Sequence, residues 1–197
     1  MEDGYSMEEM AEDTVKAIKA LGIEKTSLMG SSQGVMISMI MAARDPELLE
    51  KLCLNCTCAK SNDFIRSTAG RWIEQAESGQ TEELTVDMTK ALFTDDEIAQ
   101  FDLISTNLAN LPDQENLSRF VIMSKPLLDF DFTSLLKDIQ ADTLLMGPAK
   151  DEVLSAEASK ETAELIGCPV YQFEGCGHAA YDTCPELRDR MFKFFTK

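Results

Sequence analysis

The chain has no apolar run long enough to cross a bilayer, no cluster of basic residues and only one histidine. A membrane span needs about 20 consecutive apolar residues, so no membrane partner is expected. The opening residues, MEDGYSMEEM, also lack the basic start and apolar stretch of a secretory signal, and cytoplasmic residence is the expectation. The missing basic cluster matters because 18 Lys and Arg stand against 35 Asp and Glu, for a formal net charge of −17 spread along the chain. Such a field repels nucleic acid and anionic lipid, so no nucleic-acid partner is expected. Its plainer consequence is solubility.

The scarcity of histidine limits metal chemistry. Cysteines stand at 53, 56, 58, 168, 176 and 184, and the Cys53-x-x-Cys56-x-Cys58 spacing looks like that of metal ligands. However, Cys53 and Cys56 fall in KLCLNCTCA, which reads as a buried strand running into a loop, and one histidine leaves few further ligands. In a chain neither short nor marked for secretion, free thiols are expected, with neither disulfides nor a metal.

What is present is an ordinary globular composition, 44% hydrophobic over 197 residues, enough for one packed domain with a small subdomain. No internal repeat or low-complexity segment appears. Ser6 and Glu9 form a capping-box pattern ahead of Met7, Met10, Ala11, Val15, Ile18 and Leu21, which predicts a helix over 6–21 stopped by Gly22. A strand is predicted from Thr26 to Met29, a buried helix through VMISMIMAA and a strand over 49–55. From about Ser61 to Asp131 the periodicity is helical throughout, in pieces near 63–78, 81–92, 95–110 and 114–124. Beyond it, strands at 142–146 and 170–173 alternate with helices at 156–166 and 185–195. Alternation of this kind predicts an α/β fold with a mostly parallel sheet flanked by helices. Residues 1–60 and 132–197 would form its core, with 61–131 a helical insertion over one end. Its apolar residues, Phe64, Trp72, Ile73, Leu92, Phe93, Phe101 and Phe120 among them, read as the insertion's own core.

Chemistry concentrates at three places. Gly30-x-Ser32-x-Gly34 leaves a strand and opens a helix. So sharp a turn holds its central serine in a strained conformation, and the flanking glycines let strand and helix approach closely. The helix N-terminus then aims free N–H groups at any developing oxyanion. A serine hydroxyl needs a base, and His178 lies in GCGHAA just beyond the last strand, where a loop can carry it to Ser32. The imidazole in turn needs a carboxylate. Asp151, in GPAKDEV after the strand at 142–146, is the candidate; Glu152 is a weaker rival and Asp182 reads as solvated.

These residues resemble the α/β-hydrolase superfamily, in particular its cap-bearing esterase, lactonase and C–C hydrolase type. The resemblance is carried by YSMEEMAEDTVKAIKALGIEKTSLMGSSQGV, AARDPELLEKLCL, LLKDIQADTLLMGPAKDEVLSAE and FEGCGHAAYDTCPEL, and the order Ser…Asp…His matches it. It implies that Ser32 attacks an acyl carbonyl of a small-molecule ester, that His178 relays the proton and that Asp151 orients His178. It further implies that the Gln33 backbone N–H is an oxyanion donor, that 61–131 is a cap and that no metal or organic cofactor is needed. Serine rather than aspartate at position 32 argues against the epoxide hydrolase and haloalkane dehalogenase branches. An acyltransferase, or a non-catalytic fragment serving as a binding module, remains the alternative.

The chain also departs from the pattern. The family normally places four strands ahead of the helix at Ser6, and a loop among them carries an HG-like motif with a second oxyanion N–H. Pro148 stands where a glycine often precedes the acid, with Gly147 one place earlier. Losing an oxyanion donor costs about 10²–10³ in rate, and an unpaired central strand is an association hazard. A truncated product is therefore expected, weakly active or forming homo-oligomers through an exposed sheet edge.

Overall fold

Apolar runs bounded by turn-forming residues become strands here. In the computed structural model, which describes residues 4–197, they are β1 (Thr26–Ser31), β2 (Leu49–Asn55), β3 (Asp142–Pro148) and β4 (Val170–Phe173). They lie side by side in chain order and all neighbours are parallel. Asn55 pairs with Ser31 on one side and Met146 on the other, so the carboxyl ends of β1, β2 and β3 form one rim. β1 has β2 as its one strand partner among the described residues, and lies at the sheet edge as expected.

Side chains alternate across the two faces. Leu52, Leu54 and Leu145 join the larger apolar core with Met39, Ile40 and Ala163, while Cys53, Met146 and Phe173 join a smaller one with Leu187. The first face is covered by α1 (Met7–Ala20), α2 (Gln33–Arg44) and α8 (Ala156–Ile166), the second by α10 (Pro185–Phe195). The Ser6–Glu9 capping box forms in both directions, and α2 is buried along most of its length, as its lack of a polar face requires.

Between β2 and β3 runs a mostly helical segment: α3 (Asp63–Glu77), α4 (Thr81–Leu92), α5 (Asp95–Phe101), α6 (Leu103–Leu108) and α7 (Gln114–Ser124). The expected single helix over 95–110 is two. Asp102 adopts a left-handed conformation, φ 46°, and breaks it; aspartate tolerates that region better than most residues. Trp72 and Ile73 are core, and Leu92 and Phe120 are partly buried against it. Phe64 and Phe101 are not core, being 44% and 50% exposed. A short helix that patterning missed, α9 (Ala180–Thr183), follows His178. No helix among the described residues is long and apolar enough to cross a membrane.

Candidate active site

Ser32 sits between β1 and α2 with φ 55° and ψ −126°, a conformation L-residues rarely adopt. The surrounding bonds hold it there: its N–H donates to the Asn55 carbonyl across the sheet, and its own carbonyl accepts from Val35. Strain of this order persists only where neighbours over-determine it. Gly30 permits the turn. A Cβ there would meet the Gly34 carbonyl oxygen and Ser38 Oγ at 2.7 Å each. The same is not true of Gly34, where a Cβ would meet nothing within 4 Å, so the close approach expected of both glycines belongs to Gly30 alone.

The three chain-distant candidates meet at the strand rim. His178 Nε2 lies 2.9 Å from Ser32 Oγ, and its Nδ1 lies 2.9 Å from Asp151 Oδ1. Asp151 reaches it from the loop after β3; Glu152 and Asp182, the other carboxylates considered, are exposed. Pro148 does not prevent this. β3 continues through it, opposite Phe173, and the loop turns afterwards, with Asp151 Oδ1 also accepting from the Val153 and Leu154 N–H groups at 2.8 and 2.9 Å. Burial raises the Asp151 pKa, but the imidazole and those two amides outweigh it and hold the carboxyl below its ordinary 3.8. An ionised carboxylate only accepts hydrogen bonds. Nδ1 therefore carries the proton, and Nε2 is left as the acceptor for the Ser32 hydroxyl.

The model of the alpha/beta hydrolase fold matches residues 1–185. The chain belongs to that family. Among named relatives it is 26% identical over 194 residues to RutD of Pseudomonas savastanoi pv. phaseolicola, which carries a provisional carbamate hydrolase name; the match covers 92% of this chain and 71% of that protein. The chain spans 55–71% of the curated relatives it matches. Among solved structures, MGS-M2, an alpha/beta hydrolase enzyme from a Medee basin deep-sea metagenome library, superposes with a TM-score of 0.90 at 18% identity, covering 100% of this chain and 74% of that one. The enol-lactonase of Burkholderia xenovorans LB400 gives 0.87 at 15%, covering 98% and 74%. At such identities the likeness is one of fold.

Around this alpha/beta hydrolase rim lie the cysteines of the metal-like spacing and groups that sequence patterning did not single out. Cys56, itself at φ 57°, donates its thiol to the His178 carbonyl at 3.2 Å. Cys53, Cys56 and Cys58 are free thiols: Cys53 packs in the smaller core, and Cys56 and Cys58 in the larger one. Burial pushes Cys53 up to about 12 and Cys56 and Cys58 higher still, so none is a ready thiolate ligand. Cys56 does lie with Asp151 and His178 in one cluster whose candidate ligand atoms are within 4.8 Å of one another. There, both ring nitrogens and the thiol already have hydrogen-bond partners.

Three hydrogen bonds tie the helical segment to this rim. Gln33 Nε2 donates to the Met123 carbonyl at 2.5 Å, tying the Ser32 turn to α7. Glu97, from α5, receives the Gly177 N–H at 3.2 Å, and the Ala179 N–H donates to the Leu92 carbonyl at 2.9 Å. One signal for Glu97 existed: Thr94-x-x-Glu97 is a capping-box pattern, and the box forms. That its carboxylate would also reach a loop 80 residues away has no local signature.

Proposed function

We propose that this chain is a serine hydrolase that cleaves a carboxylic ester or related acyl bond through an acyl-enzyme, with Ser32 as nucleophile, His178 as base and Asp151 as the acid that orients it. The observation that carries this reading is the unbroken path from Ser32 Oγ through His178 to Asp151, with both hydrogen bonds at 2.9 Å. The path is nearly sealed from water on one side, with His178 3% and Asp151 7% exposed.

The chemistry follows from that order. Ser32 Oγ forms a bond to the carbonyl carbon as its proton passes to Nε2, and the imidazolium is stabilised by the Asp151 carboxylate. The carbonyl oxygen becomes an oxyanion beside the N-terminus of α2. There the Gln33 N–H and the helix dipole are assigned its stabilisation. Collapse expels the alcohol or amine, which takes the proton from Nε2. Water, deprotonated by the same nitrogen, then releases the acid and restores Ser32.

The helical segment is the proposed cap. Its support is that α4, α5 and α7 tie to the histidine loop and the nucleophile turn. The carbamate hydrolase name of the RutD relative and the lactonase and esterase names of structural neighbours fit the same acyl chemistry.

A fluorophosphonate probe tests the assignment. It should label the protein, and labelling and turnover of short aryl esters should both vanish in Ser32→Ala while the fold persists. Turnover falling by at least ~10⁴-fold is the expectation for loss of a triad nucleophile. Labelling that survives in Ser32→Ala, or a folded wild type that neither labels nor turns over, would reject it. Product analysis with competing alcohols or thiols distinguishes hydrolysis from acyl transfer.

A further inference from the structure

Of the 35 acidic residues, two are buried among those described: Asp151 at 7% exposure and Glu97 at 8%. A buried carboxylate is costly unless its oxygens find donors. Asp151 is explained by the imidazole it holds. Glu97 lies in the helical segment, and all of its side-chain hydrogen bonds converge on one oxygen, Oε2. It accepts from the Thr94 N–H at 2.7 Å, the Thr94 hydroxyl at 2.9 Å and the Gly177 N–H at 3.2 Å. The first two complete a helix cap. The third belongs to the residue just before His178.

The peptide on the other side of His178 is held from the same turn, because the Ala179 N–H donates to the Leu92 carbonyl at 2.9 Å. Gly177 is pressed into that turn so closely that a Cβ would lie 2.5 Å from the Leu92 oxygen and 2.8 Å from Phe93 Cα. His178 is thus gripped by its backbone on both flanks from residues 92–97, while its ring is gripped by Asp151. We propose that Glu97 is a positioning residue for the catalytic base: its carboxylate fixes the Gly177 amide, and through it the approach of the His178 ring to Ser32, so that seating of the helical segment and assembly of the site are one event. This rests on the reading of Ser32, His178 and Asp151 as a catalytic triad.

Because one oxygen makes all three bonds, Glu97→Gln keeps an acceptor and Glu97→Ala does not. Thr94→Ala breaks the helix cap but leaves the bond to Gly177, and so controls for a purely structural role. Misplacement of a catalytic group by about 1 Å costs on the order of 10² in rate. In Glu97→Ala, kcat should therefore fall about 10- to 100-fold with KM within about threefold. Glu97→Gln should recover most of the loss, and Thr94→Ala should cost little beyond its stability. His178 is the chain's one histidine, so its Cε1 proton gives an NMR signal that needs no assignment by mutation. That signal should be single and sharp in the wild type, Glu97→Gln and Thr94→Ala, and split or broadened in Glu97→Ala. The proposal is overturned if Glu97→Ala keeps wild-type kcat and an unchanged histidine signal, or if Thr94→Ala loses as much kcat as Glu97→Ala at equal loss of stability. A wild type that fails to label at Ser32 would remove the triad reading alone, since the histidine signal still decides whether Glu97 holds the loop.

Discussion

The strand rim and the helical segment meet at His178 and hold it by different means. The rim acts through side chains: Asp151 and Ser32 take the two ring nitrogens directly. The helical segment acts through backbone: the Leu92 carbonyl and the Glu97 carboxylate take the amides of Ala179 and Gly177. Side-chain bonds at the rim set the tautomer and direction of the imidazole, which is chemistry. Amide bonds from the helices set where the loop runs, which is placement. Perturbing the first should remove activity with the fold intact, and perturbing the second should lower activity while loosening the loop.

The sharpest way to break that division is Asp151→Asn. The amide oxygen can still accept from Val153 and Leu154, so the loop should keep its shape, yet the neutral side chain no longer stabilises an imidazolium. A fall in kcat of about 10⁴ is expected, with the fold retained but a lower melting temperature at neutral pH, where the ionised carboxylate contributes its stability. A loss below tenfold, measured with the same ester that reports Ser32, would move the acid elsewhere, and exposed Glu152 would be the first place to look.

How much of this was legible in the sequence follows the same division. Strand-to-helix alternation and the pattern Gly30-x-Ser32-x-Gly34 carry local signals, so the sheet, its helices and the positions of Ser32, Asp151 and His178 could be anticipated. Those strands end at a common rim because parallel register forces it. Most of what escaped detection depends on contacts between distant segments. Cys56 looked like part of a metal-ligand triplet, and only the register at Asn55 brings it beneath His178. Glu97 was one of three acidic residues in the first turn of a helix. The break at Asp102 escaped because a helical period continues across a single left-handed residue. Gly34 was credited with a packing need that only coordinates could deny.

The placement side is tested next by Gly177→Ala. A methyl group at that position would lie 2.5 Å from the Leu92 oxygen and 2.8 Å from Phe93 Cα. Both are backbone atoms that a side-chain rotation cannot clear, so the loop and the α4–α5 turn must separate. About a 10²-fold drop in kcat is expected, with a lower melting temperature and faster amide exchange at 177 and 179 than in the wild type. Wild-type kcat would mean that the loop tolerates separation from the helices, and the comparison would lose its second half.

The smallest expected effect is thermodynamic, and it treats the two buried carboxylates as one class. For Glu97, burial raises the pKa, but the nearby Thr183 hydroxyl, which falls short of hydrogen-bond geometry, and the bonds from Thr94 and Gly177 outweigh it and hold the group below its ordinary 4.5. Asp151 is held below 3.8. A carboxyl whose folded pKa is depressed contributes stability that is fully present above the unfolded pKa and is lost as pH falls through the folded one. The window therefore begins near pH 4.5 and extends downward. Above it, acidification should first help, since protonating exposed carboxylates relieves the self-repulsion of a chain at −17. Glu9, Asp13, Asp131 and Glu186 are also depressed, but they are exposed and screened, so they contribute little. Urea midpoints measured from pH 6 to pH 3 should fall less steeply at the acid end in Glu97→Gln and in Asp151→Asn than in the wild type, each removing one linked proton. Parallel acid limbs in all three proteins would show that neither carboxylate is held more tightly in the folded chain than in the unfolded one.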